Sequence, residues 1–179
     1  MKYLPRILAA GAAALMLTPF VTSCDDDKTT WEEYAEWRED NEAWVTGQSK
    51  LKAPDGTTLF ERYTPPYNAG VFLLQRTIGE KHTGNLKPLY TSTVTVNYEV
   101  HLYNDTLIDK GTDYVCQLNN TSLIDGWSMA IMNMNAGDSA EVILPYLLAY
   151  GPSGYSGVPP YSALRFNIRL VDVDAYQVP

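Results

Sequence analysis

From Val94 to Leu102 the chain alternates without a break: Val94, Val96, Tyr98, Val100 and Leu102 point one way, and Thr95, Asn97, Glu99 and His101 the other. Successive side chains leave a strand on opposite faces, so this pattern demands a β-strand with one face buried and one wet. Such a strand needs a sheet beside it and a second layer over its apolar face. Residues 139–144 and 164–173 alternate again. Tyr114-Val115-Cys116-Gln117-Leu118 does the same over a shorter span, and Cys116 there reads as a buried structural thiol. Leu59–Tyr63 and Gly70–Gln75 read as extended, separated by Pro65-Pro66 and by turn residues around Asn68-Ala69-Gly70. Asn104-Asp105 supplies turn chemistry after the first strand. Trp127, Ala130, Ile131 and Met134 fall on one side of a short helix, which Asn135-Ala136-Gly137 ends. One short helix among hairpin-linked strands implies an α+β domain, an antiparallel sheet curled around a helix.

The N-terminal part reads differently. Lys2 and Arg6 precede an apolar run of about 14 residues, short of the roughly 20 that a bilayer span requires. Residues 1–23 are therefore expected to be a signal peptide. Small residues before Cys24 resemble a lipobox, which would make Cys24 the lipidated N-terminus; ordinary secretory cleavage is the alternative. The first reading implies a lipid-anchored protein of a Gram-negative cell envelope, attached to the membrane through Cys24. Residues 24–30 read as a polar tether, and its acidic run resembles a surface-export signal as much as a solvated spacer.

Thr30-Trp31-Glu32-Glu33 has the form of a capping box, and Trp31, Tyr34, Trp37, Asn41 and Trp44 recur at helical spacing up to Gly47. A helix over 31–45 is expected, within an N-terminal segment of 31–58 ahead of a domain over 59–179. Its aromatic face suits packing on the chain's own domain, dimerisation or a client-binding arm. Exposed tryptophans at 31, 37 and 44 would also suit a glycan.

Much chemistry is excluded. Loss of Lys2 and Arg6 with the leader takes net charge from −8 to −10, which opposes nucleic-acid binding. The two histidines, His82 and His101, have no Cys or acidic residue at ligand spacing, so no metal site is expected, and no cofactor motif occurs. Gly154-Tyr155-Ser156-Gly157 is no nucleophile elbow, and Gly151–Gly157 lacks the Lys-Ser/Thr of a phosphate loop.

Four blocks remain: Ile124-Asp125-Gly126-Trp127, Leu148-Ala149-Tyr150-Gly151, Val158-Pro159-Pro160 and Ala163–Ile168. In order and spacing they resemble the FKBP-type peptidyl-prolyl isomerases over residues 90–174. That resemblance implies a cup for a proline ring, with Trp127 as floor and Tyr98, Tyr114, Leu123, Ile124, Val158 and Phe166 as walls. It implies that the Tyr150 phenol and the Ile124 N–H donate to substrate carbonyls, and that Asp109 is the pocket carboxylate. Tyr155 falls where the family contacts residues beside the proline. Ile108 stands where the family usually has Phe, which keeps an apolar wall but loses an aromatic edge. A short loop between Tyr103 and Tyr114 would open one rim. The implied partners are proline-containing peptides or unfolded exported proteins. A weakly catalytic or non-catalytic peptide-binding module is the other reading of the same cup.

Overall fold

The structure is a computed structural model that describes residues 28–175. Residues 1–27 and 176–179 lie outside the described residues, and with them the expected leader over 1–23 and the expected lipidation site at Cys24. Six strands form one antiparallel sheet: β1 (Glu61–Tyr63), β2 (Leu73–Ile78), β3 (Thr93–Leu102), β4 (Leu107–Gln117), β5 (Ser139–Leu144) and β6 (Leu164–Ala175). Their order across the sheet is β1-β2-β5-β6-β3-β4. A pair of helices, α1 (Thr30–Glu33) and α2 (Ala35–Ser49), precedes the sheet, and α3 (Asp125–Met132) follows β4.

The long alternating strand is β3, held between β6 and β4. Val94, Val96, Val100 and Leu102 are buried as the alternation requires, and together with α3 they build the main core. Tyr98 alone on that face is only half buried, and it marks the site described below. The short connection expected between Tyr103 and Tyr114 is shorter still, a tight hairpin. Leu102 N–H donates to the Thr106 carbonyl at 2.9 Å, closing a tight hairpin with Asp105 at φ 66°, and β4 begins at Leu107. Asn tends to turn and Asp tolerates the left-handed region, which is the turn chemistry read at Asn104-Asp105 from the sequence.

The N-terminal helix also begins differently. Thr29, not Thr30, is the N-cap, and the capping box is closed with Glu32. Residues 29 and 30, assigned to the tether from sequence, thus belong to the helix and its cap. Gly47 does not stop the helix, which runs to Ser49. Arg38, Asn41 and Val45 are buried, so this face is laid on the chain's own sheet. Val45 joins Phe60, Leu74, Ile143 and Ala163 in a second apolar cluster, packed by Trp44 and Phe72. That cover explains a departure from alternation in β5. Val142 and Leu144 belong to the main core while Ile143 belongs to the second cluster, so this strand is buried on both faces.

Opposite the helix, the segment between β2 and β3 is tied to the turn before β5. The buried Asp138 carboxylate accepts from the N–H groups of His82 (2.6 Å) and Asn135 (2.9 Å), and it lies 3.2 Å from the His82 ring nitrogen Nδ1. Burial works against its ionisation, but the two backbone donors and the His82 ring outweigh it and hold the carboxyl below its ordinary value of 3.8. A depressed carboxyl stabilises the fold above its unfolded pKa, and that contribution disappears as pH falls through the folded one. Urea midpoints are expected to drop on acidification below pH 3.8. Asp138→Asn should lower stability by about 1–3 kcal/mol near neutrality and flatten that acid limb. An unchanged acid limb in the variant would remove Asp138 from the explanation.

Candidate functional site

The half-buried ring of Tyr98 opens onto a hollow of about 240 Å³ between the sheet and α3. Trp127 lies at its base because α3 starts directly after Ile124, whose extended backbone (φ −71°, ψ 145°) turns the chain into the helix. Its indole is 5 % exposed and meets three rings: Tyr98 edge-on at 5.2 Å, Tyr114 at 6.5 Å and Phe166 at 5.7 Å. Tyr98 and Tyr114 also meet edge to face at 5.8 Å. These distances fall in the range where aromatic pairs attract beyond simple burial. The indole N–H faces the Cys116 sulfur but does not reach hydrogen-bond geometry with it. Burial, with only a partial offset from that indole, pushes the Cys116 thiol up, so it is a poor nucleophile.

Polar groups occupy the rim. Tyr98 Oη–H donates to Asp109 Oδ2 at 2.7 Å. Burial first, and then this carboxylate, raise the Tyr98 phenol far above its usual range, so it stays protonated. The Tyr150 phenol is raised chiefly by burial, with Tyr155 and Asp109 adding to it. Among the described residues no protein group takes a hydrogen bond from the Tyr150 hydroxyl or from the Ile124 N–H. Two donors at the edge of an apolar hollow are thus available to a ligand.

Nine of the residues named from sequence line this hollow together: Tyr98, Ile108, Asp109, Tyr114, Leu123, Ile124, Trp127, Tyr150 and Phe166. Tyr155 does not line it, but stacks on Tyr150 with ring centres 5.1 Å apart. Val158 is not a wall. It is 5 % exposed within the core, where its N–H and carbonyl both bond Tyr155 and fold the loop back. A branched aliphatic side chain in this block fits a wall and a core anchor equally well, and only the course of the loop distinguishes them.

Several contributors were not foreseen. Val100 and Ser122 also line the hollow. Gly111 permits it: a Cβ there would lie 2.5 Å from Tyr98 Cε1. Gly126 allows α3 to approach the sheet end, since a Cβ would meet Leu144 Cδ1 at 2.6 Å and the Leu148 carbonyl at 2.7 Å. A glycine inside a strand pattern signals close approach, which was the available clue to Gly111.

A fold and site of this form have known counterparts. The model of the FKBP-type peptidyl-prolyl cis-trans isomerase family matches residues 84–171. FK506-binding protein 1 of Eremothecium gossypii is 32% identical over 96 residues, which cover 51% of this chain and 84% of that protein. FkpA of Escherichia coli, an FKBP-type peptidyl-prolyl cis-trans isomerase, is 33% identical over 90 residues, covering 48% of this chain and 33% of that protein. Among solved structures, a peptidyl-prolyl cis-trans isomerase from Pseudomonas syringae superposes with a TM-score of 0.65 at 22% identity, over 79% of this chain and 96% of the other. The crystal structure of E. coli FkpA gives 0.62 at 26% identity, over 79% and 62%. The chain belongs to the FKBP-type peptidyl-prolyl cis-trans isomerase family.

Proposed function

We propose that the hollow over Trp127 receives the proline ring of an exported, incompletely folded polypeptide and lowers the barrier to rotation about the preceding bond. That barrier is about 20 kcal/mol because twisting the amide forfeits its resonance. No bond is made and no proton moves, so an enzyme needs only to bind the twisted amide better than either planar form. Trp127, Phe166, Tyr114 and Ile108 grip the ring and displace the water that favours the polar planar amide. Tyr150 Oη–H and the Ile124 N–H hold flanking carbonyls, while Asp109 fixes Tyr98 across the mouth. A second hollow of about 570 Å³ shares Ser122, Leu123, Ile124 and Tyr150 and runs on past Tyr155 and Leu147, which gives the polypeptide a way out. The observation that carries this reading is the pair of unpartnered donors beside an aromatic-floored cavity.

A protease-coupled assay with proline tetrapeptides tests it. Acceleration of the cis-to-trans step supports the reading, whereas peptide binding without acceleration would leave a binding module. Tyr150→Phe removes one hydrogen bond worth about 0.5–1.5 kcal/mol. A fall in kcat/KM of roughly 2- to 10-fold is expected in the same assay, with the melting curve unchanged.

The proposed setting is the cell envelope, with the chain anchored by lipid on Cys24. Fatty-acid labelling that persists in Cys24→Ala would contradict the anchor. The glycan reading is weakened, because Trp37 and Trp44 are half buried against the domain and only Trp31, with Arg38 over one face of its ring, is exposed among the three. Dimerisation through the 31–45 helix would have to use the face left outside, since Arg38, Asn41 and Val45 are buried, and molar mass from light scattering decides it.

A further inference from the structure

The rim that carries Tyr150 and Tyr155 is a loop, and α2 holds that loop from outside. The loop leaves the hollow at Tyr150 and rejoins the sheet at Leu164. Within it Tyr155 and Val158 exchange both backbone hydrogen bonds, at 3.0 and 2.6 Å. Its returning limb is strained: Tyr161 sits at φ 60°, in the left-handed region that a non-glycine residue enters at a cost of roughly 1–2 kcal/mol. Such a conformation persists only where the surroundings impose it.

The surroundings here are supplied by the N-terminal helices. Trp37 Nε1–H donates to Ser162 Oγ at 3.1 Å, and Ser162 Oγ–H donates to the Pro159 carbonyl at 2.7 Å. The Ala163 N–H donates to Asn41 Oδ1 at 2.8 Å, while Asn41 Nδ2–H donates to the Trp37 carbonyl at 2.7 Å. Asn41 is 1 % and Ser162 2 % exposed, so these bonds are sheltered from competing water. The Tyr161 ring meets Trp31 edge-on at 5.6 Å, with the Arg38 guanidinium 3.3 Å above Trp31. On the inner side the Tyr161 N–H donates to the carbonyl of Gly151, the residue after Tyr150, at 3.0 Å.

We propose that Trp37 and Asn41 are positioning residues for the pocket rim, clamping 159–163 so that Tyr150 and Tyr155 stay in place. Neither touches the hollow. The clamp acts through 159–163 and the Tyr161–Gly151 hydrogen bond, and its effect on turnover rests on the substrate-binding role given above to Tyr150. It differs from mere cover of the outer sheet face, which is the part played by Val45 in its cluster with Phe60, Leu74 and Ile143.

That difference sets the experiment: Asn41→Ala, Trp37→Phe and Val45→Ala are compared in the full chain by hydrogen–deuterium exchange and by peptide isomerisation. Exchange of the Tyr155 and Val158 amides is expected to rise roughly 5- to 10-fold in Asn41→Ala, the worth of one buried hydrogen bond. Trp37→Phe should raise it less, and Val45→Ala should leave it at the wild-type rate despite lost stability. In the same two rim variants kcat should fall by about 10-fold or less, with a smaller change in KM, while Val45→Ala keeps its kcat. Unchanged exchange at Tyr155 and Val158 in Asn41→Ala overturns the proposal, as does an equal loss of kcat in Val45→Ala. If Asn41→Ala does not fold, Trp37→Phe, which removes the indole N–H that donates to Ser162 together with part of the ring, carries the same comparison. A wild-type chain that does not isomerise the peptide would refute the reading of the pocket, while the exchange data would still judge the clamp.

Discussion

Trp127→Ala is expected to cost about 3–5 kcal/mol of folding stability and to abolish measurable isomerisation. The indole is both the floor of the hollow and part of the main core, against Tyr98, Tyr114 and Phe166. Its removal leaves a cavity that four separate elements would have to collapse to fill. The loss should appear as a lower urea midpoint with an unchanged slope, since the surface exposed on unfolding stays much the same. A fully stable Trp127→Ala would show that the ring is not a packed floor, and the pocket reading would go with it.

Gly126→Ala is the second large effect, and it comes from adding an atom. A Cβ at Gly126 would lie 2.7 Å from the Leu148 carbonyl, a backbone atom that cannot swing aside, and 2.6 Å from Leu144 Cδ1. Overpacking of this kind costs about 1–3 kcal/mol. Leu148 lies two residues before Tyr150, so relief by moving the 146–148 turn would shift the phenol as well. The expected result is a lower melting temperature together with a kcat/KM below that of Tyr150→Phe. Wild-type stability in Gly126→Ala would mean that α3 sits further from the sheet end than described.

Of these two residues, the place of Trp127 was legible in the sequence and the role of Gly126 was not. The alternation of 94–102 identified the central strand because a half-buried strand leaves a periodic trace. The site was legible through its family-like blocks, and nine of the named residues do line one hollow. What escaped was what local pattern does not encode. Val158 looks like any wall residue until the course of its loop turns it inward. Asn41 was placed on the packing face of its helix, but nothing local marked the Ala163 N–H, 122 positions away, as its partner. Gly111 and Gly126 are functional through the absence of a side chain, which only the neighbouring atoms make visible.

The central claim is that an aromatic-floored socket eases rotation about a prolyl bond without any proton transfer. Exchange NMR on a proline tetrapeptide, with the chain present in catalytic amount, measures this directly. The account predicts cis–trans exchange faster than in peptide alone, the same at pH 6 and pH 8 to within about twofold, with the Trp127 indole resonance shifting as peptide is added. Exchange at the uncatalysed rate, with that indole resonance unmoved, would contradict it.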